Sequence, residues 1–134
     1  MDVSPIDVRN TSEIERDIAA FARIANGGLI VTGSAAEIHH DLIIALAGRY
    51  RLPAVYNSRL EAADGGLISY GPDFVDQFRS AAGYVDRTLK GEKPSELLVQ
   101  APTKFELVIN RQTAKALDLD VPLYLQQLAD DVIE

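Results

Sequence analysis

The chain has 134 residues and a formal net charge of −7, and its length fits one domain. An acidic chain argues against nucleic acid and anionic membrane surfaces as partners, because both are bound by clustered Lys and Arg. The absence of cysteine excludes a catalytic thiol, a thiolate zinc site and a disulfide framework. No apolar run approaches the roughly 18 residues of a membrane span, so we expect no direct membrane insertion. Asp2 and Asp7 stand where a signal peptide would be basic and then apolar, so we expect no signal peptide in the chain as written.

The first segments predict an extended stretch, a helix and a buried strand. Residues 3–8 favour an edge segment because Pro5 interrupts them. A helix opens at Ser12, with Glu15 at capping-box spacing, and stops at Asn26-Gly27. The continuous apolar run at residues 28–32 predicts a strand that is buried on both faces.

The remaining segments continue the alternation of helices and short apolar strands. We predict a helix over residues 36–50, a strand over 53–56, a polar loop over 57–64 and a buried strand over 65–70, which Gly71-Pro72-Asp73 ends. Asp73 then caps a helix that runs to about residue 90 and turns its apolar side chains inward, namely Phe74, Phe78, Ala81, Ala82, Val85 and Leu89. A strand over 104–110, a helical turn over 113–117 and a helix after Pro122 complete the chain.

This alternation predicts an α/β fold, a three-layer sandwich with a mainly parallel sheet. The sequences of residues 27–34 and 65–72 resemble each other, and in each a strand is followed by a turn of small residues. Turns at the carboxyl ends of parallel strands line the crevice where α/β proteins bind ligands. We therefore expect a ligand crevice at the turns that follow these strands.

Six residues in or beside those turns are the candidate ligand contacts: Ser34, Tyr56, Asn57, Ser58, Tyr70 and Asp73. The backbone N–H groups of Gly33-Ser34 would hold a carboxylate, or the pair is only a tight turn with a Ser cap. Tyr56 and Tyr70 would supply apolar walls, or they are core residues with satisfied hydroxyls.

Catalytic and cofactor motifs are weak in this sequence. There is no Walker A or G-x-G-x-x-G pattern, and no G-x-S-x-G elbow that would make a triad of Ser34, His40 and Asp41 convincing. His39 and His40 point about 100° apart on a helix and cannot easily share one metal ion. Glu61 and Asp64 fall in the predicted loop, where carboxylates are usually solvated. We therefore expect no catalysis, no cofactor and no metal.

Several long stretches carry a resemblance to a known family. They read GGLISYGPDF at residues 65–74, FRSAAGYVDRTLKGEKP at 78–94, QAPTKFELVIN at 100–110, TAKAL at 113–117 and ADDVIE at 129–134. Together they resemble the ABC-transporter substrate-binding family that includes TrpX-like tryptophan-binding proteins. In the loop after Tyr56, where members usually carry aromatic residues, this chain reads Asn57-Ser58-Arg59-Leu60-Glu61.

The resemblance implies one Rossmann-like lobe of a type I periplasmic binding protein, in which two lobes close on a solute. Residues 1–134 correspond to the C-terminal lobe, with the N-terminal lobe absent and with residues 74–94 as a helix that crosses between lobes. The implied function is to hold an amino acid or a similar small polar or aromatic solute in the periplasm for an ABC permease. The same crossover helix, lacking its partner, would favour a homodimer.

Two other functions stay open at this stage. A free-standing small α/β regulatory or sensor domain would also fit the length and the alternation of elements. A small enzyme that uses Ser34 and His40 is the third reading. The identities of the solute and the permease do not follow from the sequence.

Overall fold

The computed structural model describes residues 2–134, and Met1, where the predicted domain begins, lies outside them. In chain order the elements are α1 (Thr11–Phe21), β1 (Leu29–Ile30), α2 (Ser34–Ile38), α3 (His40–Arg49), β2 (Ala54–Tyr56), α4 (Arg59–Ala63), β3 (Ile68–Pro72), α5 (Phe74–Leu89), a 3₁₀ turn (Pro94–Glu96), β4 (Phe105–Asn110), α6 (Arg111–Ala116), α7 (Leu123–Leu128) and β5 (Asp131–Ile133).

The five strands form one sheet in the order β1-β2-β3-β4-β5. The first three strands run parallel, β4 is antiparallel to β3, and β5 runs parallel to β4. The predicted α/β fold with a mainly parallel sheet is therefore confirmed. The carboxyl ends of β1, β2 and β3 lie at one edge, which we call the C-terminal edge. Because β4 and β5 run the other way, their first residues lie at this same edge.

The main core lies on one face of the sheet, where α1 and α3 pack on β2. Ile14 and Ile18 of α1 join Ile43 and Leu46 of α3 around Tyr56. Helix α4 packs on the same face, since its Ala62 carbonyl accepts a hydrogen bond from the buried Asn110 side chain of β4. Side chains alternate between the two faces of a strand, so this face is built from every second residue of each strand.

The other face of β1, β2 and β3 is exposed to solvent. Ile30 is 79% exposed and Tyr70 is 59% exposed. The prediction that residues 28–32 and 65–70 form fully buried strands is therefore wrong. The reason is that the main core of the described chain covers only the Tyr56 side of β1, β2 and β3.

Several predicted elements also differ from the structure. The helix predicted over 36–50 is two helices, because the backbone breaks at His39, with φ −115° and ψ 20°. The loop predicted over 57–64 contains α4. Residues 3–8 form no strand, and β5 pairs with β4 where no strand was expected.

Helix α5 begins and ends as predicted but does not turn its apolar residues inward. Asp73 caps it, since Oδ1 accepts a hydrogen bond from the Asp76 N–H at 3.1 Å. The structure describes the helix in full, and it buries none of its side chains. Phe78 is 76% exposed, and Val85 and Leu89 are exposed with it. The inward prediction for this helix is wrong because the described chain places no element against its apolar stripe.

Candidate functional site

A cleft opens at the C-terminal edge between the α2–α3 junction, α4 and the first turns of α5. Its volume is about 550 Å³, which is in the range of small-molecule sites. The side chains that line it are Glu37, His40, Ser58, Arg59, Leu60, Glu61, Asp64, Phe74, Val75, Phe78 and Glu106. We call this the edge cleft.

The start of α4 forms the floor of the edge cleft and has a capping box. The Ser58 hydroxyl oxygen accepts a hydrogen bond from the Leu60 N–H at 3.3 Å. In return, Glu61 Oε2 accepts one from the Ser58 N–H at 3.0 Å. This exchange satisfies N–H groups that a helix start leaves without partners. It also pulls Glu61 inward, where the residue is only 3% exposed.

Glu61 therefore has one satisfied oxygen and one unsatisfied oxygen. Oε1 is buried and has no hydrogen-bond partner among the described residues. Burial raises the pKa of this carboxyl above its ordinary value, and the Ser58 N–H opposes that shift. A buried acceptor without a donor costs free energy.

His40 also lines the edge cleft. Its Nδ1 lies 2.9 Å from the Glu37 carbonyl oxygen. Its Nε2 lies 3.1 Å from Asp41 and 3.5 Å from Asp64. The hydrogen bond to Glu37 raises the pKa of the imidazole most, and the two aspartates add to the shift. Among residues 2–134, no group of three or more His, Asp or Glu side chains is arranged to hold a metal ion.

The one arginine that lines the edge cleft is already paired. Arg59 Nη1 lies 3.0 Å from Glu106, and Nη2 lies 2.7 Å from Asp131. Glu106 is near the start of β4 and Asp131 is the first residue of β5, so the reversed direction of these two strands brings both carboxylates to the C-terminal edge. Arg59 consequently ties α4 to the sheet and adds little free positive charge to the cleft.

The apolar wall of the edge cleft comes from α5. Phe74, Val75 and Phe78 line it together with Leu60 of α4. Asp73 fixes the start of this wall because its other oxygen forms a 2.7 Å ion pair with Lys104. Lys104, followed by the Asp76 N–H, holds the pKa of the Asp73 carboxyl below its ordinary value. Aromatic and carboxylate side chains thus line the same cleft.

Four of the six predicted contacts follow the carboxyl ends of β1, β2 and β3 along the chain. Ser58 lines the edge cleft. Asp73 caps the helix that forms the apolar wall. Ser34 is the exposed first residue of α2, three residues before Glu37. Asn57 precedes Ser58, and its buried Oδ1 has no partner among the described residues.

The two predicted tyrosines lie outside the edge cleft. Tyr56 is 2% exposed within the main core, and burial raises the pKa of its hydroxyl. It is therefore the core residue that the sequence left as an alternative. Tyr70 follows Ser69, the register partner of Tyr56, and so points to the opposite face, where it stacks on Phe105 with ring centroids 5.8 Å apart.

The sequence reasoning missed Glu61, His40 and the aromatic pair Phe74 and Phe78 as cleft residues. For Glu61 a signal was present, because Ser58-x-x-Glu61 has capping-box spacing. That spacing predicts a helix start where we predicted a loop, and it predicts that the glutamate folds back toward the backbone. The expectation that Glu61 is a solvated loop carboxylate is wrong for this reason.

A comparison with known families shows which family the chain belongs to. The family model described as ABC transporter substrate binding protein matches residues 1–133. The chain therefore belongs to the ABC transporter substrate-binding protein family, as its sequence resemblance indicated. Family membership favours solute binding over the regulatory and enzymatic alternatives. No curated protein matched the chain in sequence.

Solved structures share the fold of this chain. A conserved domain protein from Vibrio cholerae O1 biovar El Tor is 21% identical with a TM-score of 0.79. An ABC domain from Streptococcus pneumoniae in complex with L-Trp is 20% identical with a TM-score of 0.80. In both, the match covers 92% of this chain and 42% of the other.

A third structure has a lower score. It is the ligand-free, open form of a substrate-binding protein with adhesive properties from Clostridium difficile, which is 15% identical with a TM-score of 0.65. The match covers 92% of this chain and 41% of that one. The chain thus spans about two fifths of the length of the structures it resembles. Within residues 2–134, no helix has the length and apolar character needed to cross a membrane.

Proposed function

We propose that this chain forms one solute-binding lobe of an ABC import system and that it binds without catalysis. The solute is an amino acid or a similar small polar or aromatic molecule, and the complete protein would deliver it to a permease from the periplasm. Ser58 lines the edge cleft, and we propose it as a contact together with Ser34, Asn57 and Asp73, which follow the ends of β1, β2 and β3.

The observation that carries this proposal is the position of the edge cleft. It lies where three parallel strands end, and α/β proteins bind ligands at this edge of the sheet. Its apolar wall and its few polar groups are the combination that small-molecule sites use. Membership of a substrate-binding family supports the same conclusion.

A ligand-observed NMR screen of amino acids and small carboxylates against this chain tests the proposal. We expect at least one solute to bind. Leu60→Ala should weaken its binding several-fold, because Leu60 lines the cleft. Leu128→Ala is the matched control, since Leu60 is 67% exposed and Leu128 is 68% exposed on α7, outside the cleft. A solute that is lost equally from both variants, or no bound solute, contradicts the proposal.

The affinity of this chain by itself should be low. Tight small-molecule sites cover about 70–90% of the ligand surface, whereas the edge cleft is walled by exposed side chains such as Leu60 and Phe78. A solute held there keeps one side in water. We predict dissociation constants weaker than roughly micromolar in calorimetry. Micromolar or tighter binding to this chain would contradict the prediction.

A further inference from the structure

Both ring nitrogens of His40 face oxygen atoms that only accept hydrogen bonds. Nδ1 lies 2.9 Å from the Glu37 carbonyl oxygen, and Nε2 lies 3.1 Å from an Asp41 carboxylate oxygen and 3.5 Å from one of Asp64. A neutral imidazole carries one N–H and one lone pair, whereas an imidazolium donates from both nitrogens. In either neutral tautomer, one lone pair would therefore face an acceptor. The charged ring is the form that satisfies this geometry.

These contacts join three helices that follow one another along the chain. Glu37 belongs to α2, His40 and Asp41 begin α3, and Asp64 directly follows α4. Among the described residues, the hydrogen bond from His40 is the only one that a side chain makes with α2. Ala36 is the residue of α2 that is buried in the main core. The five-residue helix therefore depends on His40 for its polar contact with the rest of the fold.

The charged groups around His40 on the elements packed against it are carboxylates: Glu37 of α2, Asp41 of α3, Glu61 of α4 and Asp64 at the end of α4. Arg59, which also lines the cleft, is already bound to two carboxylates. The hydrogen bond to the Glu37 carbonyl raises the pKa of the His40 imidazole above its ordinary value of 6.5, burial opposes this shift, and the nearby carboxylates add to it. The surroundings thus favour the charged ring.

We propose that charged His40 is a latch that holds α2 against the end of α4, and that loss of its proton at higher pH releases α2 from this position. The folded chain holds this proton more tightly than the unfolded chain, so the latch contributes fully at low pH and is lost as the pH rises through the raised pKa. Glu37 and Asp64 line the edge cleft with His40, so the release changes the shape of the cleft. Control of solute binding by the latch rests on the proposed solute-binding function, whereas the latch itself does not.

NMR of the His39→Gln chain tests the latch, because His40 is then the only imidazole left. We expect the amides of α2, corrected for their intrinsic exchange rates, to exchange with solvent at least threefold faster at pH 9 than at pH 5, with the midpoint that the His40 ring itself shows. Amides of residues 44–48 in α3 are the internal control and should show no such change. Adding His40→Gln should make α2 exchange equally fast at both pH values. Circular dichroism melts establish that the variants are folded.

The matched pair Asp64→Asn and Asp120→Asn tests the contact between α3 and the end of α4. Asp64→Asn keeps the size of the side chain but removes the charge beside the ring, so the titration midpoint of His40 should fall. Asp120 is exposed and lies outside the edge cleft, so Asp120→Asn should leave the midpoint unchanged. A midpoint that Asp64→Asn does not lower would overturn this contact.

The outcomes separate the latch from the proposed function, because none of these measurements needs a solute. Corrected exchange of α2 that is equal at both pH values in the His39→Gln chain would overturn the latch and leave the solute-binding proposal standing. A solute screen without a ligand would contradict the solute-binding proposal, whereas pH-dependent exchange of α2 would still support the latch.

Discussion

At the scale of single residues, side chains that cap the starts of helices are the clearest link between this sequence and its structure. Asn10, Ser58, Asp73 and Asn110 each accept a backbone N–H at a helix start. Such residues favour caps because their short side chains reach orphan N–H groups. Asp73 was predicted as a cap from the sequence. Ser58 was predicted as a ligand contact, and the structure shows that it also caps α4 in a capping box with Glu61.

The first residue-scale prediction concerns the pH dependence that Glu61 confers on stability. Burial raises its pKa in the folded state, so above the ordinary value of 4.5 the folded chain binds more protons than the unfolded one. Stability from this group then falls as the pH rises through the interval between the two pKa values. Glu61→Gln has no carboxyl at this position and therefore does not lose this stability. We expect the variant to gain stability over the wild type as the pH rises from 4.5 to 7.5.

Urea denaturation of both chains at the two pH values measures this difference. Glu15→Gln provides the baseline for removing an exposed carboxylate of another helix. The stability of the wild type relative to Glu61→Gln should drop at the higher pH. If the free energy of unfolding of the wild type rose relative to that of Glu61→Gln as the pH increased, the prediction would be contradicted.

The second residue-scale prediction concerns Asn110, which joins three elements. Its Oδ1 accepts the Thr113 N–H at 3.0 Å and caps α6, and its Nδ2 donates to the Ala62 carbonyl of α4 at 2.9 Å. The residue is 5% exposed. Asn110→Ala leaves the Thr113 N–H at the start of α6 without its cap and removes a buried hydrogen bond to the Ala62 carbonyl, so we predict a loss of about 2 kcal/mol in the free energy of unfolding.

Chemical denaturation of Asn110→Ala beside Gln127→Ala measures the effect. Gln127 is exposed on α7, and substitutions at such positions usually change stability by less than about 0.5 kcal/mol. Equal stability of the two variants would show that the Asn110 contacts are not formed.

At the scale of elements, the sequence predicted the positions of most helices and strands correctly but did not predict which of their faces are buried. The positions of β2, β4 and α5 follow from apolar runs and a cap, which are properties of the local sequence. The burial of α5 and of β1 was predicted wrongly, because an apolar stripe shows which side of an element seeks cover but not whether cover is present. Residue 39 interrupts the helix predicted over 36–50, and nothing in the apolar spacing there marks the break.

The element-scale prediction is that the exposed stripe of α5 drives self-association. Phe78, Val85 and Leu89 are exposed on this helix, and burying such apolar area is favourable at about 25 cal/mol per Å². We expect light scattering to show a mass that rises with protein concentration, and Phe78→Gln to reduce the rise. Val99→Gln changes an exposed apolar residue outside α5 and should leave it intact. A monomer at every concentration would contradict the prediction.

At the scale of the whole molecule, the sequence determined the fold class and the edge of the sheet where the site lies. Both follow from the alternation of strands and helices and from the family resemblance. The composition of the cleft did not follow. Glu61, His40 and Phe78 are separated along the chain and meet only through the packing of α4 against the sheet and the departure of α5 from the C-terminal edge. Tyr70 faces away because strand alternation places it opposite Ser69.

The most direct test of the central claim is a map of where an amino acid binds this chain. L-phenylalanine carries an aromatic body, an ammonium and a carboxylate, and backbone NMR shifts during its titration locate the contact. The account predicts that the largest shifts fall in residues 34–40, 58–64 and 73–78, around the edge cleft. Shifts that centre instead on the open face at Ile30, Val55 and Tyr70, or that are absent at millimolar solute, would contradict it.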